Sequence, residues 1–130
     1  MGNKRLIQAM TDVKESINSY TMTRESIVLG AASLADEEYF QEKKQMVVAT
    51  RERTKEELRR RGFEVLDSSA NFLFAKPNSV DAGWLFEELK KEKIFVRHFN
   101  GERIKDYLRI SIGTDQQMDC LLQAIDRIMA

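Results

Sequence analysis

The sequence predicts an α+β fold: a mostly antiparallel sheet of three or four strands covered by helices on one face, preceded by a helical segment that includes one long helix. Three observations predict it. Apolar residues recur at helical spacing up to Gly62, and beyond it the period changes and the elements follow the order β-β-α-β-β-α. Near the end, Leu108, Ile110 and Ile112 alternate with Arg109, Ser111 and Gly113, so a strand there buries the aliphatic set and shows Arg109 beside Ser111 on its other side. Immediately after, Thr114 and Gln117 form a capping-box signature, and Met118, Leu121, Leu122, Ile125, Ile128 and Met129 repeat at helical spacing.

Leu6, Met10, Val13 and Ile17 fall on one helical face, which makes the first element an amphipathic helix. Asn18 to Met22 breaks the pattern as a loop, and Thr23 caps a second helix with Ile27, Val28, Ala31 and Leu34. Asp36 starts the longest element, whose ends match the helix dipole: Glu37 and Glu38 in the first turn, Arg59 to Arg61 in the last, with Gly62 as the stop. Its apolar stripe is thin, consisting of Phe40, Val47, Thr54 and Leu58 with Tyr39, Met46 and Val48 nearby. Phe63 to Leu66 and Asn71 to Lys76 read as a hairpin around the turn-prone Asp67-Ser68-Ser69-Ala70. Pro77-Asn78-Ser79 ends the second strand and offers a cap for a helix bearing Ala82, Leu85, Phe86 and Leu89, closed by Lys90-Lys91. Ile94 to Arg97 is the next strand, and Asn100-Gly101 turns the chain toward Leu108.

At 130 residues the expectation is one domain, 1–130, with a helical segment 1–61 and a β-β-α-β-β-α layer 62–130, large enough to bury a core without staples. Twenty-one basic and twenty-one acidic side chains cancel, so no net field draws the chain to nucleic acid or an anionic membrane. One cysteine, Cys120, excludes an internal disulfide and, with His98 the one histidine, disfavours a structural zinc site. No apolar run approaches the ~20 residues that span a bilayer, and the cytoplasm is the expected compartment.

Arg97 and Arg109 are the candidate site. Ile94 and Val96 point to the core, which leaves Arg97 on the opposite face, as Arg109 is on its own strand; if the strands are neighbours, two guanidinium groups converge on an anion. The same pattern suits two ordinary surface arginines. His98 lacks a Ser, Cys or metal partner and reads as a surface residue, and Cys120 as a partly buried, inert thiol. Arg59-Arg60-Arg61 reads as a dipole-matched helix end, and Glu37-Glu38 and Glu87-Glu88 as exposed pairs.

The segments Glu37-Glu38-Tyr39-Phe40, Arg51-Glu52-Arg53, Gly62-Phe63-Glu64-Val65-Leu66, Ala70-Asn71-Phe72-Leu73-Phe74, Phe95-Val96-Arg97-His98-Phe99 and Leu108 to Thr114, taken in order, resemble the C-terminal part of the histidinol-phosphate aminotransferase family. The resemblance runs from about Leu6 to Ile128. It implies the small, substrate-closing domain of a fold-type I aminotransferase, with Arg109 at the anionic end of the amino substrate and Arg97 assisting with a phosphate. It also implies that pyridoxal phosphate, held in that family as a Schiff base on a lysine of a large α/β domain, has no place in this chain: no Ser-Lys dipeptide occurs, and the lysines lie in polar or charged contexts such as Lys43-Lys44 or Lys90-Lys91. The domain alone is therefore expected not to transaminate. It is expected to be a fragment or one half of a split enzyme, or else a non-catalytic self-associating or anion-binding module. Its expected partners are a second copy, a separate cofactor-binding domain, or a small phosphorylated or carboxylate anion. Thr21 stands where the family segment aligned with Asn18-Ser19-Tyr20 usually continues with proline.

Overall fold

The structure, a computed structural model, describes residues 2–17 and 20–130. Asn18 and Ser19, the start of the expected loop, and the side chain of Ile17 lie outside the described residues. Contacts divide the chain into two compact units, Met1–Phe40 and Gln41–Ala130.

In the first unit, α1 (Lys4–Ile17) and α2 (Arg24–Ala35) form where apolar spacing and capping predict them. The Thr23 hydroxyl accepts from the Ser26 amide at 3.2 Å, satisfying one of the donors a helix start leaves free. Asp36 serves two elements: its amide bonds the Ala32 carbonyl to close α2, and its carboxylate accepts from the Tyr39 amide to open α3 (Glu37–Arg60). Leu6, Met10, Val28 and Leu34 are each about two-thirds or more exposed, at 67, 68, 67 and 72%.

The helix α3, 24 residues and about 36 Å long, carries acids in its first turn and Arg59 and Arg60 in its last. Gly62 ends the helical run with φ +81°, a left-handed conformation that glycine adopts at no steric cost, and its amide bonds the Arg59 carbonyl. The expected stripe needs correction. Within the second unit Thr50, Thr54 and Leu58 are buried and Val47 half-buried, whereas Phe40, in the first unit, is 44% exposed. Thr54 is tolerated there since its hydroxyl donates to the Thr50 carbonyl at 2.7 Å.

Beyond Gly62 the observed order is β1 (Phe63–Val65), β2 (Phe72–Pro77), α4 (Ala82–Lys91), β3 (Arg97–His98), β4 (Leu108–Ser111) and α5 (Asp115–Met129). The four strands form an α+β sheet in the order β1-β2-β4-β3, every neighbouring pair antiparallel. In the central pair Phe72, Leu73, Phe74 and Ala75 stand opposite Ser111, Ile110, Arg109 and Leu108. Alternation buries Leu73, Ala75, Leu108 and Ile110 and leaves Phe72, Phe74, Arg109 and Ser111 on the other face. Leu58 of α3, Leu85 and Leu89 of α4, and Leu121, Leu122 and Ile125 of α5 complete the core from one side, each worth about 1.5–3 kcal/mol.

Polar pairs set the direction of the covering helices. The Thr50 hydroxyl donates to Asp115 (2.8 Å), Arg53 reaches Asp115 (3.1 Å) and Asp119 (2.6 Å), and Arg61 grips Asp126 (2.7 and 3.0 Å). Partner numbers rise together, so α3 and α5 run parallel. Arg61 lowers the Asp126 pKa, while Asp126 and then Glu57 raise that of Arg61. At the start of α5, Thr114 and Gln117 form the predicted reciprocal cap; a Cβ on Gly113 would stand 2.3 Å from Gln117 Oε1, so a side chain there would push the Gln117 amide out of the cap. No helix among the described residues is long and apolar enough to cross a membrane.

Two local expectations are corrected. The N-cap of α4 is Asp81, whose carboxylate accepts from the Trp84 amide at 2.8 Å, rather than a residue of Pro77-Asn78-Ser79. The strand expected over Ile94 to Arg97 shrinks to Arg97–His98 because α4 ends in a Schellman turn that occupies Lys93 and Ile94: the Lys93 amide bonds Lys90, and the Ile94 amide bonds Leu89 at 2.9 Å. That turn puts Lys93 at φ 62°, where a side chain is strained. Lys93→Gly is therefore expected to stabilise the protein by about 0.5–1 kcal/mol in urea unfolding, with Lys93→Ala giving no such gain.

Candidate functional site

Strand alternation and sheet pairing assemble a row of side chains on the face away from the core. Arg97 on β3 stands directly opposite Arg109 on β4, and Arg109 in turn stands opposite Phe74 on β2. The two sequence candidates are thus cross-strand neighbours, with Ser111 two positions along β4 on the same face.

Aromatic rings, rather than acids, surround the two guanidinium groups. Arg109 Cζ lies 4.5 Å from the centroid of Phe72, and Arg97 Cζ 5.6 Å from that of Phe99. Phe72 meets Phe74 edge-on at 5.8 Å, Phe74 meets Tyr107 at 6.3 Å, and the Tyr107 hydroxyl donates to Glu64 at 2.8 Å, which raises the tyrosine pKa. Arg51, Arg53, Arg59, Arg60, Arg61 and Arg127 each meet a carboxylate. Arg97 and Arg109 meet none among the described residues, and like charges directly opposed across strands repel. Such a pair gains most from an anion, which guanidinium forks bind with two parallel hydrogen bonds each. Arg109 Nε is buried without a hydrogen-bond partner.

Other sequence candidates go elsewhere. His98 pairs with Leu108 and turns toward α4: its ring lies 6.0 Å from that of Phe86, and Nε2 is 2.6 Å from the Lys105 carbonyl. It is half-buried and engaged rather than a surface residue, because the strand step after Arg97 points inward. Cys120 is exposed rather than partly buried, since the buried stripe of α5 runs through Met118, Leu121, Leu122, Ala124 and Ile125. It lines an open cleft of about 640 Å³ between residues 93–96 and 110–121, whose walls include neither arginine. Glu87 and Glu88 pair with Lys90 and Lys91, not with each other. No cluster of His, Cys, Asp or Glu suited to a metal occurs among the described residues. The phenylalanines under the arginines escaped sequence reading, although Arg97 and Phe99 share one face by their two-residue spacing.

The lysines do not fit a Schiff-base role. None of them is buried, and Lys55, 14% exposed, is tied to Glu52 (2.6 Å) and Asp67 (3.3 Å), contacts that raise its pKa. A nucleophilic lysine needs the reverse: an amine desolvated, away from acids, and neutral near pH 7.

Comparison with known proteins identifies the family. A family model for aminotransferase class I and II matches residues 1–125. Histidinol-phosphate aminotransferases from Clostridium acetobutylicum and Aromatoleum aromaticum are 43% and 45% identical over 130 and 129 residues, 100% and 99% of this chain and 37% and 36% of theirs. The chain thus spans a little over a third of the length of the curated relatives it matches. The crystal structure of histidinol-phosphate aminotransferase from Sinorhizobium meliloti in complex with pyridoxal-5'-phosphate superposes with a TM-score of 0.74 at 26% identity, covering 91% of this chain and 34% of that one. By family model, by identity over its whole length and by fold, the chain belongs to the class I and II aminotransferases and is homologous to part of histidinol-phosphate aminotransferase.

Proposed function

We propose that these residues form the small, substrate-closing domain of a histidinol-phosphate-type aminotransferase, and that Arg97 and Arg109 receive the phosphate of the amino substrate. The observation that carries this reading is the directly opposed arginine pair, without a carboxylate partner among the described residues, on the face of the sheet away from the core. Two adjacent positive charges match a phosphate monoester, which carries about −1.5 to −2 at pH 7, better than a single carboxylate. Pyridoxal phosphate would supply the electron sink for transamination, and a cofactor-holding part beyond these residues, on this polypeptide or another, would hold it. Resemblance to biosynthetic enzymes and a single cysteine support a cytoplasmic setting.

The apolar faces of α1 and α2 fit an assembled protein. Leu6, Met10, Val28, Leu29 and Leu34 are exposed, and contiguous apolar surface beyond a few hundred Å² tends to find a partner. A second copy of the chain, or the cofactor-holding part, would cover it.

Three outcomes are expected. Inorganic phosphate or histidinol phosphate, titrated by NMR at pH 7.5, binds with a dissociation constant on the order of millimolar, about 4 kcal/mol, since these residues leave a bound anion open to water. The binding weakens with salt and as pH falls below about 6, where the phosphate takes up its second proton. It is lost in Arg97→Ala and Arg109→Ala and kept in Arg103→Ala; equal loss in all three variants would show only diffuse charge. Borohydride reduction of the chain mixed with pyridoxal phosphate leaves no single lysine stoichiometrically labelled, and one such lysine would overturn the assignment of the cofactor elsewhere. Sedimentation of the purified chain gives a dimer or larger species, with a clean monomer at high concentration counting against association through α1 and α2.

A further inference from the structure

We infer that Phe72 is a positioning residue for Arg109: its ring, rather than an acidic side chain, holds the guanidinium in place, so that the charge stays available to an anion. This rests on the phosphate-binding reading above and assigns a role to a residue that touches no substrate in it.

An arginine that must bind a ligand needs its long side chain held still. The ordinary way is an ion pair with a neighbouring carboxylate, as Arg61 is held by Asp126 and Glu57. That solution neutralises the charge the ligand needs. Phe72 offers another. Its ring lies 4.5 Å from Arg109 Cζ, within the ~6 Å range of a cation–π contact, and a stacked guanidinium keeps its outward N–H groups. Arg109 Nε is shut off from water without an acceptor, which leaves the terminal nitrogens as the donors for an anion.

The ring is itself held. Phe72 stands opposite Ser111 in the central ladder and packs edge-on against Phe74, which packs against Tyr107, whose hydroxyl is anchored on Glu64. The acid in this chain of contacts thus engages a tyrosine three steps from the guanidinium. Phe99 stands at 5.6 Å from Arg97 in the same manner, at a longer distance and just past the two-residue edge strand that carries Arg97, so its hold is the weaker of the two.

The test uses the 130-residue chain, inorganic phosphate as probe, and Phe72→Leu with Phe72→Tyr as the conservative control; Phe72→Met replaces the leucine variant if that one does not fold. In the parent, ring current from Phe72 displaces the Arg109 side-chain NMR signals. In Phe72→Leu that displacement disappears and phosphate binds about two- to fivefold more weakly, the equivalent of an exposed cation–π contact. Phe72→Tyr restores both. Arg109 signals or phosphate affinity unchanged in Phe72→Leu would overturn the inference while leaving the phosphate site in place. A parent that shows the displacement but takes no phosphate would instead overturn the proposed function, and with it the purpose given to Phe72.

Discussion

The antiparallel register between β2 and β4 is the constraint on which the rest of the second unit depends. It places Leu73 and Ala75 beside Ile110 and Leu108 on one face and Phe72 and Phe74 beside Ser111 and Arg109 on the other. Side chains in a strand alternate with a period of two, so a slip of one residue would carry Arg109 into the core and the leucines into water. Burial of the aliphatic set therefore selects the register that also builds the arginine row. The same ladder orients the ring of Phe72 under Arg109, while β3 needs only two paired residues to bring Arg97 alongside.

Charge is distributed unevenly around this sheet, and the unevenness separates scaffold from site. On the helical side, α3 is tied to α5 through Asp115, Asp119 and Asp126 and to the β1–β2 connection through Lys55, Arg59 and Asp67. Pairs this exposed contribute little individually, about 0–1 kcal/mol, but they fix the direction in which helices lie over the core. On the open face the arginines go without acids and rest on rings. Opposed like charges cost stability.

Lysines of the helices belong to the paired side of this charge pattern. Lys55, Lys90 and Lys91 stand in i, i+3 pairs with Glu52, Glu87 and Glu88 on their own helices.

How much was legible follows from the range of the interactions involved. Local signals were readable: the caps at Thr23 and Thr114, the stop at Gly62, the hairpin around 67–70, and the alternation that sets Arg109 opposite Ile110's face, because each depends on residues within a few positions. The family was legible too, in the segments around Asn71 to Phe74 and Leu108 to Thr114. Which residues of α3 are buried, how far β3 is paired, that His98 turns inward and Cys120 outward, and that phenylalanines support the arginines were decided by the tertiary structure alone. These depend on where one element ends against another: the Schellman turn at Lys93 shortens a strand that alternation alone would have extended, and only pairing across three strands brings Phe74, Arg109 and Arg97 into one row with Phe72 beside it. Periodicity states which face a residue takes; packing between elements distant in sequence decides what it meets there.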